Sequence, residues 1–448
     1  EPAGEYELLL LVTYRKDGIG LEILRDGETV LQREAPVDYD RDRQETKNVL
    51  KRLVYGSLKE LTGISLPWGD LTGIRPMKLL EEGWKNTRIA DYMRQTYQVS
   101  DAKCALAITI ANRERAILQQ FDYEKGWSLY VGIPFCPSIC LYCSFGSHPL
   151  DRWKKRVDEY LDALIRELAF IRDQMAGRPL HSVYIGGGTP TTLTPEQSRR
   201  LLGAIQELFD LSQVREYTVE AGRPDTITRE KLQVLRQFPV SRISINPQTM
   251  NQKTLDLIGR KHTVEDVTEI FHMARELGFD NINMDLIVGL PGEGEAEVAN
   301  TLSQVEQLGP DSLTVHSLAL KRATRLNLFK DQYEEISFEN SAAIMDKTQE
   351  CARRMGMGPY YLYRQKNIAG NFENVGYARP GCEGLYNILI MEEKQSIIAA
   401  GAGASTKFVF DGGRRIERAE NVKSVDQYIS RLDEMMERKR AGIEAYIK

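Results

Sequence analysis

The sequence predicts an α/β fold: a partial (β/α)6 barrel of the TIM type, with a small N-terminal α+β domain and a C-terminal α+β extension. Two observations carry this prediction. Between residue 127 and about residue 320, short β-rich runs alternate with helical segments, which is the pattern of parallel βα units. The segments before and after that stretch lack this alternation. We therefore expect three domains, covering residues 1–125, 126–320 and 321–448.

The N-terminal domain begins with a β-rich sequence and continues with sequence that favours helices. Residues 6–15 and 19–33 alternate or run apolar around an Asp-Gly pair, which predicts two antiparallel strands. Apolar residues at intervals of three and four then predict helices near residues 41–62, 87–96 and 101–120. This domain carries no chemical signature of its own.

The barrel segment contains six β-rich runs and five intervening helical segments. The strand runs read SLYVGIPF, HSVYIGGG, EYTVEAG, VSRISINPQ, NINMDLIVGLP and SLTVHSLAL. Helices are expected near residues 152–176, 194–210, 228–237, 263–277 and 294–308. Right-handed crossovers would wind these units into an arc with about three quarters of the strands of a closed eight-stranded barrel. In the C-terminal extension, helices are expected near residues 338–355 and 424–441.

Composition excludes several functional classes. The formal net charge is −5, with both signs interspersed along the chain, so a general nucleic-acid surface is not expected. Since no stretch approaches the roughly 20 apolar residues of a membrane span, we expect no membrane segment. Six cysteines in 448 residues do not suggest a disulfide framework, and we expect a cytoplasmic protein.

Three cysteines, Cys136, Cys140 and Cys143, fall within eight residues directly after the first barrel strand. A disulfide would leave one thiol over, and a zinc knuckle would show two paired sets of ligands. A Cys3His zinc site that includes His148 remains open on spacing, as do three cysteines buried as small apolar residues. Three thiolates can also hold three irons of a cubane cluster and leave the fourth iron open.

Further polar residues and a glycine-rich stretch lie at the ends of the other barrel strands. Gly186–Pro190 follows the second strand and could be a ligand cradle, a tight turn, or a phosphate loop without its usual lysine. Single polar residues accompany the next strands: Glu220, Gln248, Arg260 and Asp285. Each alone could be a satisfied polar group, but four at one barrel mouth favour a binding site. Tyr130, within the first strand, could be an ordinary core residue.

The cysteine motif CxxxCxYC, placed at the end of the first barrel strand, resembles the radical SAM superfamily. The text from YVGIPFC through GGGTP, INPQTMNQKTLDLIGRKH and DLIVGLPGE is similar to the oxygen-independent coproporphyrinogen III oxidase branch. The N-terminal domain, LTGIRPMKL and YYLYRQKN together resemble HemZ-type coproporphyrinogen dehydrogenases. The resemblance covers essentially the whole chain.

This resemblance implies two cofactors, a 4Fe-4S cluster and S-adenosylmethionine (SAM), and a role for each matching residue. The three cysteines would bind the cluster. Gly187, Gly188 and Thr189 would contact the methionine amino group, and Glu220 would lie near it. Arg260 would pair with the methionine carboxylate, and Gln248 and Asp285 would hold the ribose hydroxyls. Tyr130 would contact the cofactor near its sulfonium, as the catalytic tyrosine of the set.

The resemblance also implies a reaction. Reductive cleavage of SAM would start the oxidative decarboxylation of two propionates of coproporphyrinogen III to vinyl groups. This reaction needs an electron donor such as flavodoxin or ferredoxin. A tetrapyrrole with four carboxylates favours an apolar slot with a cationic rim. The candidate rim residues are Arg75, Arg322, Arg364 and Lys366, with Tyr360, Tyr361 and Tyr363 beside them.

The chain departs from the decarboxylating enzymes at one position. Those enzymes carry a further cysteine two residues after the third ligand, and this chain has Ser144 and Phe145 there. Phe145 resembles the related haem-chaperone branch, although GAGAST lacks the histidine which that branch tends to have. A haem-transfer protein, or a radical enzyme that methylates or opens another porphyrin, therefore remains an alternative.

Overall fold

The structure, a computed structural model, describes residues 7–40, 43–73, 75–80, 84–144, 147–319, 338–365 and 368–447. These residues form two compact units. The first contains the described residues up to Thr109 together with Gly370–Phe372, and the second contains the rest of the described chain.

The first unit begins with a three-stranded antiparallel sheet in the order β1-β2-β3, formed by Leu9–Arg15, Gly18–Arg25 and Glu28–Pro36. Two strands were expected from the sequence, so the second predicted run is in fact two strands. Asp26 and Gly27 lie between them with φ of 52° and 84°. An Asp-Gly pair with two positive φ angles favours a two-residue hairpin, which divides the run.

One helix packs on this sheet, and two further helices follow it in the chain. The three helices are α1 (Arg43–Thr62), α2 (Asn86–Tyr97) and α3 (Asp101–Leu118), of which α3 runs on into the second unit. Leu21, Ile23 and Leu31 form the buried face of the sheet, with Leu53 and Leu58 of α1 packed on it. All three helices match the sequence-based expectation.

Among the described residues, the second unit contains one sheet of eleven strands. Six of its strands are the predicted ones: β4 (Trp127–Ile133), β7 (Leu180–Gly187), β8 (Glu216–Gly222), β9 (Arg242–Ile245), β10 (Ile282–Val288) and β11 (Ser312–Ser317). They are parallel and lie side by side in chain order. The predicted crossover helices are α5 (Val157–Gln174), α6 (Pro195–Leu208), α7 (Arg229–Leu235), α9 (Val264–Glu276) and α10 (Glu295–Leu308). The predicted partial (β/α)6 barrel is therefore confirmed.

Smaller elements lie between these strands and helices of the second unit. They are β5 (Phe135–Cys136), β6 (His148–Pro149), α4 (Leu150–Trp153) and α8 (Gln252–Leu257). The remaining elements are α11 (Ala342–Arg354), β12 (Gly358–Tyr363), β13 (Asn374–Ala378), α12 (Leu385–Glu392), β14 (Ile397–Ala400), β15 (Ser405–Phe410), β16 (Arg415–Glu420), α13 (Val425–Ser430) and α14 (Leu432–Ile447). The eleven strands of the sheet lie in the order β12-β13-β11-β10-β9-β8-β7-β4-β14-β15-β16. Within the described residues no pairing joins the edge strands β12 and β16, so the sheet is open.

The C-terminal part of the chain extends the parallel sheet on one side. Strand β14 pairs in parallel with β4, from Ile397 opposite Ser128 to Ala400 opposite Val131. It is a seventh parallel strand beyond the six that were expected. The division of the chain at about residue 320 falls outside the described residues and stays a prediction.

None of the helices in the described part of the chain combines the length and the apolar character that crossing a membrane would require.

Candidate functional site

A cavity of about 310 Å³ opens at the C-terminal ends of the parallel strands. This end of parallel βα units is where chemistry gathers. Most of the predicted site residues line it: Cys136, Cys140, Cys143, Gly187, Gly188, Thr189, Glu220, Gln248, Arg260 and Asp285. Tyr130 instead lines a neighbouring pocket of about 110 Å³, which shares Gly187 and Gly188 with the main cavity.

The three cysteines lie on one wall of this cavity. Cys136 and Cys140 are buried and Cys143 is half-buried. The Sγ of Cys136 is 3.5 Å from Oγ1 of Thr189, and burial raises the pKa of the Cys136 thiol. A backbone hydrogen bond holds the cysteine loop in place, because the Leu141 amide donates to the carbonyl of Ile258.

His148 takes no part in this wall. Its Nε2 lies 3.1 Å from the carbonyl of Lys423 and so donates to it, and its ring packs edge-on against Trp153. Among the described residues, no group of three or more His, Cys, Asp or Glu side chains converges on a single ion position. A cubane spreads its thiolates over separate irons and does not need such convergence.

The glycine stretch after β7 is held tightly against the end of β4. The amide of Gly188 donates to Ile133, and the amide of Thr189 donates to Phe135. A Cβ atom on Gly188 would lie 2.5 Å from the carbonyl oxygen of Phe135, and Gly187 has a φ of 109°. Glycine is required at both positions by the backbone itself, independently of any ligand.

Glu220 is a carboxyl group set among aromatic side chains. Tyr184 donates a hydrogen bond to its Oε1, and the ring of Tyr184 stacks on that of Tyr386 at 4.3 Å. Burial raises the pKa of Glu220 to about 7, with Asp285 adding to the rise while Tyr184 opposes it. Near neutral pH, a cation placed beside this carboxyl would therefore favour its ionised form.

Gln248 and Asp285 are joined through the backbone. The Gln248 amide donates to the carbonyl of Asp285, and its own carbonyl accepts from Ile287, with Gln248 at a φ of 70°. Burial alone would raise the pKa of Asp285, but His316 and Asn283 hold it below its usual value. The Oε1 of Gln248 is buried without a hydrogen-bond partner, so it can accept a bond from a ligand.

Arg260 brings a cation to the same cavity. Its Nη1 donates to the carbonyl of Asn246 at 2.5 Å, whereas its Nε is buried without a partner. Burial disfavours the charged form, but Tyr142 and Cys140 outweigh that effect and raise the pKa of Arg260. Buried polar atoms without partners are rare in proteins, so one that borders the cavity is a candidate contact for a ligand.

The candidate rim residues are dispersed. Arg322 and Lys366 lie outside the described residues, as does Phe145, and Arg75 belongs to the first unit. Arg364 is buried, and Tyr360 and Tyr361 are buried in a cluster with Leu385 and Leu389. Of the candidates that the structure describes, only Tyr363 lines the main cavity.

Several cavity residues were missed by the sequence-based reasoning, among them two close to Tyr363. His316 and Gln365 line the cavity beside Tyr363, whose hydroxyl is 3.1 Å from Nδ1 of His316. A histidine inside the β-rich run SLTVHSLAL was the available signal for His316. No motif indicated Gln365.

The parallel strands of the open sheet and the three-cysteine loop at their carboxyl ends define the class of protein, a radical SAM oxidoreductase. The sequence profile described as "Radical SAM superfamily" matches residues 130–305. Members of this superfamily in general use SAM and a 4Fe-4S cluster.

Individual relatives narrow the class. The chain is 41% identical over 404 residues to the oxygen-independent coproporphyrinogen-III oxidase-like protein HemZ of Bacillus subtilis, covering 88% of this chain and 81% of that protein. It is 32% identical over 317 residues to the haem chaperone HemW of the same organism, covering 68% and 76%. The solved structure of coproporphyrinogen III oxidase (HemN) from Escherichia coli aligns with a TM-score of 0.56 and 27% identity over 73% of each chain. The chain belongs to this coproporphyrinogen-III oxidase-like family of radical SAM proteins.

The cavity fits the cofactors of the superfamily. Thiols are soft ligands suited to iron and sulfide, and they share the cavity with guanidinium, amide and carboxyl groups. Two of the cavity atoms without partners, Oε1 of Gln248 and Nε of Arg260, are an acceptor and a donor. Both kinds of group are needed to bind an amino acid nucleoside.

Proposed function

We propose that this protein is a radical SAM enzyme which oxidatively decarboxylates propionate side chains of coproporphyrinogen III to vinyl groups. The proposal rests on one observation. The three cysteines of the loop line the same cavity as buried polar atoms that have no hydrogen-bond partner. The relatives supply the substrate class, since both HemZ and HemN carry coproporphyrinogen oxidase in their names.

Each side of the cavity has a part in this proposal. Cys136, Cys140 and Cys143 would hold the cluster. Arg260 has a free Nε for the methionine carboxylate, since a guanidinium matches that group in shape and charge. When bound, the cluster and SAM supply a one-electron cleavage that allows abstraction of a hydrogen atom from the substrate.

The remaining polar residues would position SAM. Gln248 and Asp285, joined through the backbone, would accept hydrogen bonds from the ribose hydroxyls. Glu220 would face the methionine ammonium together with Gly187–Thr189, and a cation there would favour the ionised form of its carboxyl. Tyr130 borders the adjoining pocket and would contact the sulfonium side.

The reaction balances with one external acceptor. Each propionate loses one hydrogen atom to the SAM-derived group and one electron to an acceptor, and carbon dioxide leaves as the vinyl group forms. A donor such as flavodoxin or ferredoxin would supply the electron that cleaves SAM. The protein must position the substrate and keep water away during this sequence.

A second candidate function is haem transfer. It is favoured by the similarity to HemW and by Ser144 and Phe145 in place of the extra cysteine. The absence of a histidine from the stretch Gly401–Ser405 counts against haem transfer. In the structure this stretch is a packed turn, because a Cβ atom on Gly401 would lie 2.5 Å from the carbonyl oxygen of Gly132.

Anaerobic reconstitution followed by incubation with SAM, a reductant and coproporphyrinogen III separates the candidates. Carbon dioxide and a vinyl product support the decarboxylase, whereas tight haem binding without turnover supports the carrier. Cleavage of SAM with intact porphyrinogen would show that the substrate is wrong. The variant Cys140→Ala should lose bound iron, and Cys382→Ala, at a half-buried cysteine outside the cavity, should retain it.

A further inference from the structure

Arg223 is a buried arginine that touches the cysteine loop. It follows β8 directly, and only 3% of its surface is exposed. Its Nη1 donates to the carbonyl of Ser138 at 3.0 Å, to the hydroxyl of Ser138 at 2.8 Å, and to Sγ of Cys140 at 3.7 Å. One guanidinium nitrogen thus binds both the loop and one of its sulfurs.

The orientation of this guanidinium is fixed from the opposite side. Nε and Nη2 of Arg223 donate to the two carboxylate oxygens of Asp225, at 2.9 Å and 2.6 Å. Such a two-bond pair holds the plane of the guanidinium. The backbone is fixed as well, because the amide and the hydroxyl of Thr226 both donate to the carbonyl of Arg223.

The charge on Asp225 is maintained in this setting. Burial alone would raise the pKa of its carboxyl, but Arg223 outweighs burial, and the pKa of Asp225 lies below its usual value. A cationic donor on the sulfur and a carboxylate directly behind it therefore form one buried, ordered pair. Arg260 is a second cation near Cys140.

We propose that Arg223 is a positioning residue that sets the reduction potential of the cluster through Cys140. Hydrogen bonds to cluster sulfurs and the local net charge are two factors that determine such potentials. An N–H donor on a thiolate stabilises the reduced cluster, which carries one more negative charge. The carboxylate of Asp225 acts in the opposite direction, so the potential depends on the balance of the pair.

This inference rests on the proposed iron–sulfur site but not on the identity of the substrate. It is tested by measuring the midpoint potential of the reconstituted cluster by spectroelectrochemistry with electron paramagnetic resonance. Arg223→Met should make the cluster about tenfold harder to reduce, equivalent to about 59 mV for one electron. Asp225→Asn should shift the potential in the opposite direction, and the double variant should lie between them.

The matched control is Arg229→Met, which removes the same charge from an exposed ion pair with Glu276 and should leave the potential unchanged. Unchanged potentials in both single variants, or shifts of the same sign, would overturn the inference. If Arg223→Met fails to load iron, the sign of the shift in Asp225→Asn decides. If the unsubstituted protein itself loads no cluster, the proposed function fails instead.

Discussion

The pH dependence of stability should report the state of Glu220. Its pKa of about 7 lies above the ordinary value of 4.5, chiefly because the carboxyl is buried. The folded state thus binds a proton that the unfolded state releases between these two values. The resulting stabilisation is fully present below pH 4.5 and is lost as the pH rises through 7.

The rise in the pKa of Glu220 from 4.5 to about 7 corresponds to about 3.4 kcal/mol. Glu220 borders the cavity and is only half-buried by surface exposure. Solvent there reduces the effect, so we expect a loss of about 2 kcal/mol between pH 5 and pH 8. Replacement by glutamine removes the titration and keeps an acceptor for the hydroxyl of Tyr184.

The assay is urea unfolding of the unsubstituted chain and of Glu220→Gln at several pH values, without SAM. The difference between their free energies of unfolding isolates this one carboxyl from the other titrating groups. Glu207→Gln, at an exposed position of α6, is the control and should show no such trend. A difference that stays constant within about 0.5 kcal/mol, or that favours the unsubstituted chain as the pH rises, would refute the reasoning.

Two further substitutions test the supports of the site. Gly188→Ala places a Cβ atom 2.5 Å from the carbonyl of Phe135; we expect a loss of about 2 kcal/mol in urea unfolding and at least about tenfold weaker SAM binding in equilibrium dialysis. Gly203→Ala, where a Cβ atom meets nothing within 4 Å, is its control, and equal behaviour of the two would contradict the steric argument. Lys439→Met leaves the fully buried carboxylate of Glu167 without its cation, and should cost about 3 kcal/mol in the same unfolding assay. A cost below about 1 kcal/mol would show that the hydrogen bonds of the hydroxyl and amide groups around Glu167 suffice.

Most of the barrel could be predicted because its periodicity is local. Each parallel strand is a short buried run, and each crossover helix has its own apolar face, so neither depends on distant residues to be recognised. The hairpin at Asp26 and Gly27 is also encoded locally, by an Asp-Gly pair, although the apolar pattern on its two sides predicts one continuous strand. The parallel strand Ile397–Ala400 was different, since its place beside Trp127–Ile133 depends on a contact across more than half the chain.

The candidate site divides along the same line. Cys136, Cys140 and Cys143 form a spacing motif that can be read directly from the sequence. Arg223 belongs to no motif, and only folding brings it to the sulfur of Cys140. The strongest clue to a ligand, the partnerless Oε1 of Gln248, is a property of packing that no sequence pattern contains.

Backbone hydrogen bonds hold in place the loops that carry the site residues. The amide of Gly188 bonds to the end of β4, that of Gln248 bonds to Asp285 in β10, and that of Leu141 bonds to Ile258. Each loop is thereby tied to a neighbouring strand or loop, which limits its freedom before any cofactor binds. Binding to such a preformed site costs less conformational entropy. A substitution that breaks one of these backbone hydrogen bonds by displacing its loop should therefore weaken SAM binding, even when the substituted side chain makes no contact with SAM.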